Sequence, residues 1–206
     1  MSIRTDMAAE SFSQAGGAEK LQGVKVKNNV IENARLEVTD ITIETQEAAE
    51  KLGRPVGRYI TLTATDSTFD MYSDSFRERA EVIAKAIGEL CGSCERFLAV
   101  GLGNYALTSD AVGPLTAEKI FATRHIKSLA KELDTDDLGE VTVIQPGVLG
   151  NTGIESSEQV KAIAERVTPQ AVIAVDALAC SELSNLGRTI QLCNTGISPG
   201  SGVENA

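Results

Sequence analysis

Three continuous apolar runs constrain the fold most: RFLAVGL at 96–102, VTVIQPGV at 141–148 and AVIAVDAL at 171–178. Apolar runs without alternation are the pattern of strands covered on both faces, as in a parallel sheet. Helical segments separate them, with PLTAEKIFATRHIKSLAKEL at 114–133 after the first and SSEQVKAIAERV at 156–167 after the second. The order strand, helix, strand, helix, strand predicts a mostly parallel sheet with right-handed crossovers, and so an α/β class. In such sheets ligands and catalytic groups gather beyond the carboxyl ends of the strands.

The flanking sequence adds shorter elements. Residues 73–90 place Phe76, Ala80, Ile83, Ala84 and Ile87 at helical spacing, with charge on the other face. Upstream, two β-rich stretches, 23–45 and 57–65, alternate through Leu36, Val38 and Ile41 and through Tyr59, Ile60 and Leu62. Between them TQEAAEKLG reads as a short helix stopped by Gly53 and Pro55. Residues 1–23 are polar and rich in Gly and Ala without a sustained period, and read as a flexible arm or pro-segment. With 206 residues and 42% hydrophobic content, 24–206 are expected to form a single domain. The tail GISPGSGVENA reads as a loop, as expected of a chain cut short.

Several function classes are excluded at this level. A formal net charge of −10 repels phosphate backbones and anionic lipid, so neither direct nucleic-acid binding nor membrane attachment is expected. The first residues lack a signal peptide, and no later run has the roughly 18 apolar residues of a membrane span. The four cysteines, Cys91, Cys94, Cys180 and Cys193, therefore read as reduced thiols. Cys91 and Cys94 form a C-G-S-C pair, but Cys180 and Cys193 do not supply a second C-x-x-C, so no metal site is expected. Gly101 and Gly103 lack the third Gly and the acidic ribose partner of a dinucleotide fingerprint, and no cofactor is expected. The single histidine, His125, falls mid-helix and far from any nucleophile, against a catalytic triad.

Two carboxylates remain. Asp176 interrupts the apolar run VIAVDAL near its carboxyl end, where an ionised group is costly unless it is hydrogen-bonded or shifted in pKa. Asp110 lies between the first strong strand and the helix begun by Gly113 and Pro114. Spacing leaves it open between a helix N-cap and a catalytic group. If the ends of the first and third runs lie side by side, the two would face one crevice. One could then keep a proton while the other activates water. Three Gly-rich loops accompany them: Gly103 and Asn104; Gly150, Thr152, Gly153 and Glu155; and Thr195, Gly196, Gly200 and Ser201. Turn chemistry alone accounts for their composition.

In order and spacing, RTDMAAE, LQGVKVK, GRYITL, VGLGN, TSDAVGP, TRHI, PGVLGNTGIESSE, VIAVDALA and TIQLCNTGISPGSGV resemble the germination protease family of spore-forming bacteria. The resemblance implies an atypical aspartic endopeptidase, made as a zymogen, that degrades small acid-soluble spore proteins. It places the essential aspartates at Asp110 and Asp176 and pro-segment removal between Asp6 and Met7; with that chemistry the three Gly-rich loops are expected to position the substrate peptide. It further implies a three-layer α/β/α core like that of hydrogenase maturation proteases, a homotetramer, and a location in the spore core cytoplasm. The family continues beyond the PGSGV loop, and its pro-segment before the motif matching Arg4 is usually longer. The alternatives are a metal-guided peptidase of the hydrogenase-maturation type, or an inactive homologue that binds spore proteins without cutting them.

Overall fold

The computed structural model describes residues 5, 7–14, 21–66, 68–129, 135 and 138–197. In chain order its main elements are α1 (Ala8–Gln14), β1 (Val24–Ile31), β2 (Leu36–Ile43), α2 (Gln46–Leu52), β3 (Gly57–Ala64) and α3 (Phe76–Cys91). There follow β4 (Arg96–Gly101), α4 (Val112–Ala117), α5 (Arg124–Leu129), β5 (Glu140–Ile144), α6 (Leu149–Thr152), α7 (Ser156–Val167), β6 (Ala171–Val175) and β7 (Thr189–Cys193). Contacts gather into two compact units. One is 1–90 with 178–196 and 200–206, the other 91–177 with 197–199.

The first unit is built on an antiparallel sheet of order β1-β2-β3-β7. β1 and β2 pair from Val24 opposite Ile43 to Ile31 opposite Leu36. The central strand β3 is buried along Tyr59–Leu62 because both its faces are covered. On one face Ile41, Ile43 and Tyr59 pack with Ala8 of α1 and Ala48, Ala49 and Leu52 of α2. On the other, Ile60 and Leu62 pack with Ala86, Val82, Ile83 and Leu90 of α3. Each of the larger aliphatic side chains so buried contributes about 1.5–3 kcal/mol. α2 starts where the Thr45 side chain accepts from Ala48 N–H, and stops where Gly53 takes the left-handed conformation at φ 63°.

The parallel part of the expected fold is the second unit: a sheet of order β5-β4-β6, with Phe97 opposite both Val141 and Ala171. Leu98, Val100 and Leu102 form its core with Ile144 and with Val160 and Ala164 of α7. The chain is thus α/β, with a parallel and a separate antiparallel sheet. The expectation of a mostly parallel central sheet is corrected to three strands of seven among the described residues, because β7 returns to pair with β3.

Three local expectations also change. The helix expected over 114–133 is divided into α4 and α5, because Thr123 binds the edge of β5. Its N–H donates to Val141 O (3.0 Å), and its hydroxyl sits between Gly139 O and Val141 N–H. His125 is accordingly the second residue of a short helix rather than mid-helix. The buried face of α3 carries Arg79 at 2% exposure, while Phe76 is 50% exposed. Arg79 donates to Ala34 O and Thr68 O, pairs with Asp66, and lies 5.5 Å from the Phe69 ring centroid.

Within the expected flexible arm, residues 8–14 are helical and anchored. Met7 and Ala8 are buried, and Ala8 N–H donates to Gln191 Oε1 at 2.6 Å. The Glu10 carboxylate accepts from Ser181 N–H (3.0 Å), the Ser181 hydroxyl (2.5 Å) and Asn185 Nδ2 (2.7 Å). Burial alone would raise its pKa. The side-chain bonds from Ser181, Thr5 and Asn185 and the Ser181 backbone bond outweigh that and hold it down to about 2.

Candidate functional site

The carboxyl ends of the parallel strands assemble the candidate site from three loops of one unit. β4 ends at Gly101, whose ladder partner in β6 is Val175, and Leu102 N–H donates to Val175 O (2.9 Å), continuing the ladder one residue further. Asp176 therefore follows immediately on the last paired residue of β6, half-buried, with Oδ1 accepting from Ala177 N–H at 2.9 Å.

Asp110 closes the loop that leaves β4. It sits in a single 3-10 turn, Thr108–Asp110, just before α4, and is also half-buried. Its Oδ2 accepts from Asn104 N–H (2.8 Å), which also approaches Asp110 O (3.1 Å). The N-cap of α4 is Ala111, with no side-chain capping bond. Asp110 is therefore not the N-cap of α4: its carboxylate bonds back to Asn104, and Oδ1 lies beside Gly103.

Backbone approach is unusually close here. A Cβ on Gly113 would stand 2.1 Å from Leu102 O and 2.5 Å from Val175 O. One on Gly101 would stand 2.3 Å from Gly113 O. Gly103, at φ +113°, would place a Cβ 2.1 Å from Asp110 O and 3.0 Å from Asp110 Oδ1. Only glycine allows α4 to begin against the ends of β4 and β6. The helix entered two residues after Asp110 therefore starts against the carbonyl that precedes Asp176. Sequence reasoning noted Gly101, Gly103 and Gly113 but did not find this packing, which is non-local.

The loop after β5 stands at the same sheet edge. Gly150, Thr152, Gly153 and Glu155 are exposed. The loop is laced internally by Ser156 Oγ donating to Gly147 O (2.8 Å), Gly153 N–H donating to Leu149 O (2.8 Å) and Thr152 Oγ1 lying 2.9 Å from Ile154 O. Thr195 and Gly196, by contrast, follow β7 in the other unit, where Thr195 packs against Gly57. Asp6, Gly200 and Ser201 lie outside the described residues, and Met7 is the buried residue before α1.

Among the described residues no group of three His, Cys, Asp or Glu is placed to hold a metal ion. All four cysteines are free thiols, and burial raises the Cys91 pKa, with a further contribution from Cys94. No helix among the described residues is long and apolar enough to cross a membrane.

Known proteins agree with the motif-level resemblance. The family model described as germination protease matches residues 3–206. Relatives named germination protease include that of Clostridium perfringens strain ATCC 13124, 38% identical over 98% of this chain and 63% of its own length. That of Caldanaerobacter subterraneus subsp. tengcongensis is 39% identical over 100% of this chain and 63% of its own. That of Priestia megaterium is 35% identical over 99% and 57%. The chain spans about three-fifths of the length of these curated relatives. Both the family match and these identities show that the chain belongs to the germination protease family.

Proposed function

We propose that this chain carries the catalytic carboxylates of an endopeptidase that degrades small acid-soluble spore proteins during germination. The observation that carries the reading is the placement of Asp110 and Asp176 at the carboxyl ends of the adjacent strands β4 and β6, within one unit. In this reading the two share one proton. The ionised carboxylate takes a proton from a water molecule as its oxygen attacks the scissile carbonyl carbon. The protonated one donates to the carbonyl oxygen. Collapse of the tetrahedral intermediate breaks the C–N bond as one hydroxyl returns its proton to the carboxylate that had donated one, and the proton taken from water passes to the leaving amine, which restores the dyad. Gly103 and Asn104 and the 150–155 loop position the peptide.

The same reading makes the protein a self-processing zymogen cut between Asp6 and Met7, a homotetramer resident in the spore core, and a relative in fold of hydrogenase maturation proteases. The test uses the full-length protein and a purified small acid-soluble spore protein. Asp110→Asn and Asp176→Asn should each lower cleavage by about 10²–10⁴-fold while the melting transition is kept, as expected for loss of general acid–base catalysis. Wild-type cleavage in either variant removes the dyad. Cleavage abolished by a chelator would point instead to a metal-dependent peptidase.

A further inference from the structure

We propose that Gly113 is a positioning residue that fixes the spacing between Asp110 and Asp176. This rests on the carboxylate mechanism proposed above. The buried Gly113 is the point at which the chain leaving Asp110 meets both strand ends. Its missing side chain would stand 2.1 Å from Leu102 O and 2.5 Å from Val175 O, the residue before Asp176. Those acceptors are backbone atoms fixed by the β4–β6 ladder, so they cannot swing aside as a flexible side chain would. A Cβ at Gly113 must therefore push the start of α4, and Asp110 with it, away from β6. Ordinary contact requires a movement of about 1 Å, and a misplacement of that size can cost about 10²-fold in rate. Gly103 acts on Asp110 from the opposite side. There a Cβ would meet Asp110 O at 2.1 Å.

The experiment measures kcat, KM, the pH profile and thermal unfolding of the full-length protein, with a purified small acid-soluble spore protein as substrate. The variants are Gly113→Ala, Gly103→Ala, Asp110→Asn and, as control, Gly88→Ala, where an added Cβ meets nothing within 4 Å. Gly113→Ala should lose about 100-fold in kcat with KM nearly unchanged and a shifted pH profile. Gly88→Ala should keep the wild-type kcat, KM and pH profile, with a slightly higher melting transition from its place inside α3. Folded Gly113→Ala with wild-type kcat, or with only a raised KM, beside an inactive Asp110→Asn, overturns the positioning role alone. An active Asp110→Asn overturns the carboxylate mechanism and this proposal with it. If Gly113→Ala does not fold, Gly103→Ala is read by the same criteria. Failure of both to fold assigns these glycines to folding and overturns the proposal.

Discussion

Glu10 offers a quantitative test of what holds the N-terminal helix. Its carboxylate is 6% exposed and accepts from Ser181 N–H, the Ser181 hydroxyl and Asn185 Nδ2. Its pKa falls from the ordinary 4.5 to about 2, against the opposing effect of burial. Such a fall corresponds to about 3 kcal/mol of stability. The folded-state value is the lower one, so this contribution is complete above about pH 4.5 and is lost as pH falls towards 2. Glu10→Gln keeps the shape but removes the charge that strengthens these bonds. Denaturant unfolding of wild type and variant should differ by about 3 kcal/mol at pH 7, by about half that at pH 3, and by little near pH 2. A difference that stays constant across this range would mean that neutral contacts hold the helix, and would refute the argument.

Other perturbations separate the two units. Arg79→Ala strips donors from Ala34 O and Thr68 O and removes one guanidinium from Asp66, which also pairs with Arg35 at 2.9 Å. It should cost about 3 kcal/mol by urea unfolding, the low end of the range for breaking a buried ion pair, and a loss under about 1 kcal/mol would contradict that role. Thr123→Val removes the hydroxyl between Gly139 O and Val141 N–H at a site 5% exposed. A cost of about 1–3 kcal/mol is expected, with faster hydrogen exchange at the Val141 amide, and unchanged exchange there would exclude the hydroxyl as its acceptor.

The parallel strands were legible because their runs are apolar from end to end, whereas the antiparallel sheet was only half so. β1, β2 and β3 follow one another through short connections, and alternation marks them. β7 joins β3 through the pairing of Thr189 with Thr63, and nothing in the local pattern of TIQLC names a partner so far back in the chain. The face of α3 was misread for a related reason. Helical periodicity ranks residues by apolarity, so it favoured Phe76 over Arg79, although a guanidinium supplied with two carbonyls and a carboxylate can be buried. Likewise the polar character of Glu10 suggested solvent, when its acceptor oxygens are met by Ser181 and Asn185 from a distant segment.

The same division between local and non-local information runs through the site. Asp176 could be singled out because a carboxylate inside the apolar run VIAVDAL is anomalous, although the structure sets it just beyond the last residue of β6. Asp110 could not, since a helix cap and a catalytic acid place the same residue before the same helix. The structure shows only that the carboxylate bonds back to Asn104 rather than forward into α4, which requires knowing how the loop after Gly101 closes. That closure depends in turn on Gly103 and Gly113, whose absent side chains matter only because Asp110, Leu102 and Val175 converge there. A glycine in a sequence marks only that a side chain is missing, and the folded chain shows what would have occupied its space. In the proposed mechanism the spacing of the two carboxylates would thus depend on side chains that are missing, the feature least visible to sequence reading. Substitutions at those glycines should test the mechanism as sharply as substitutions at the aspartates.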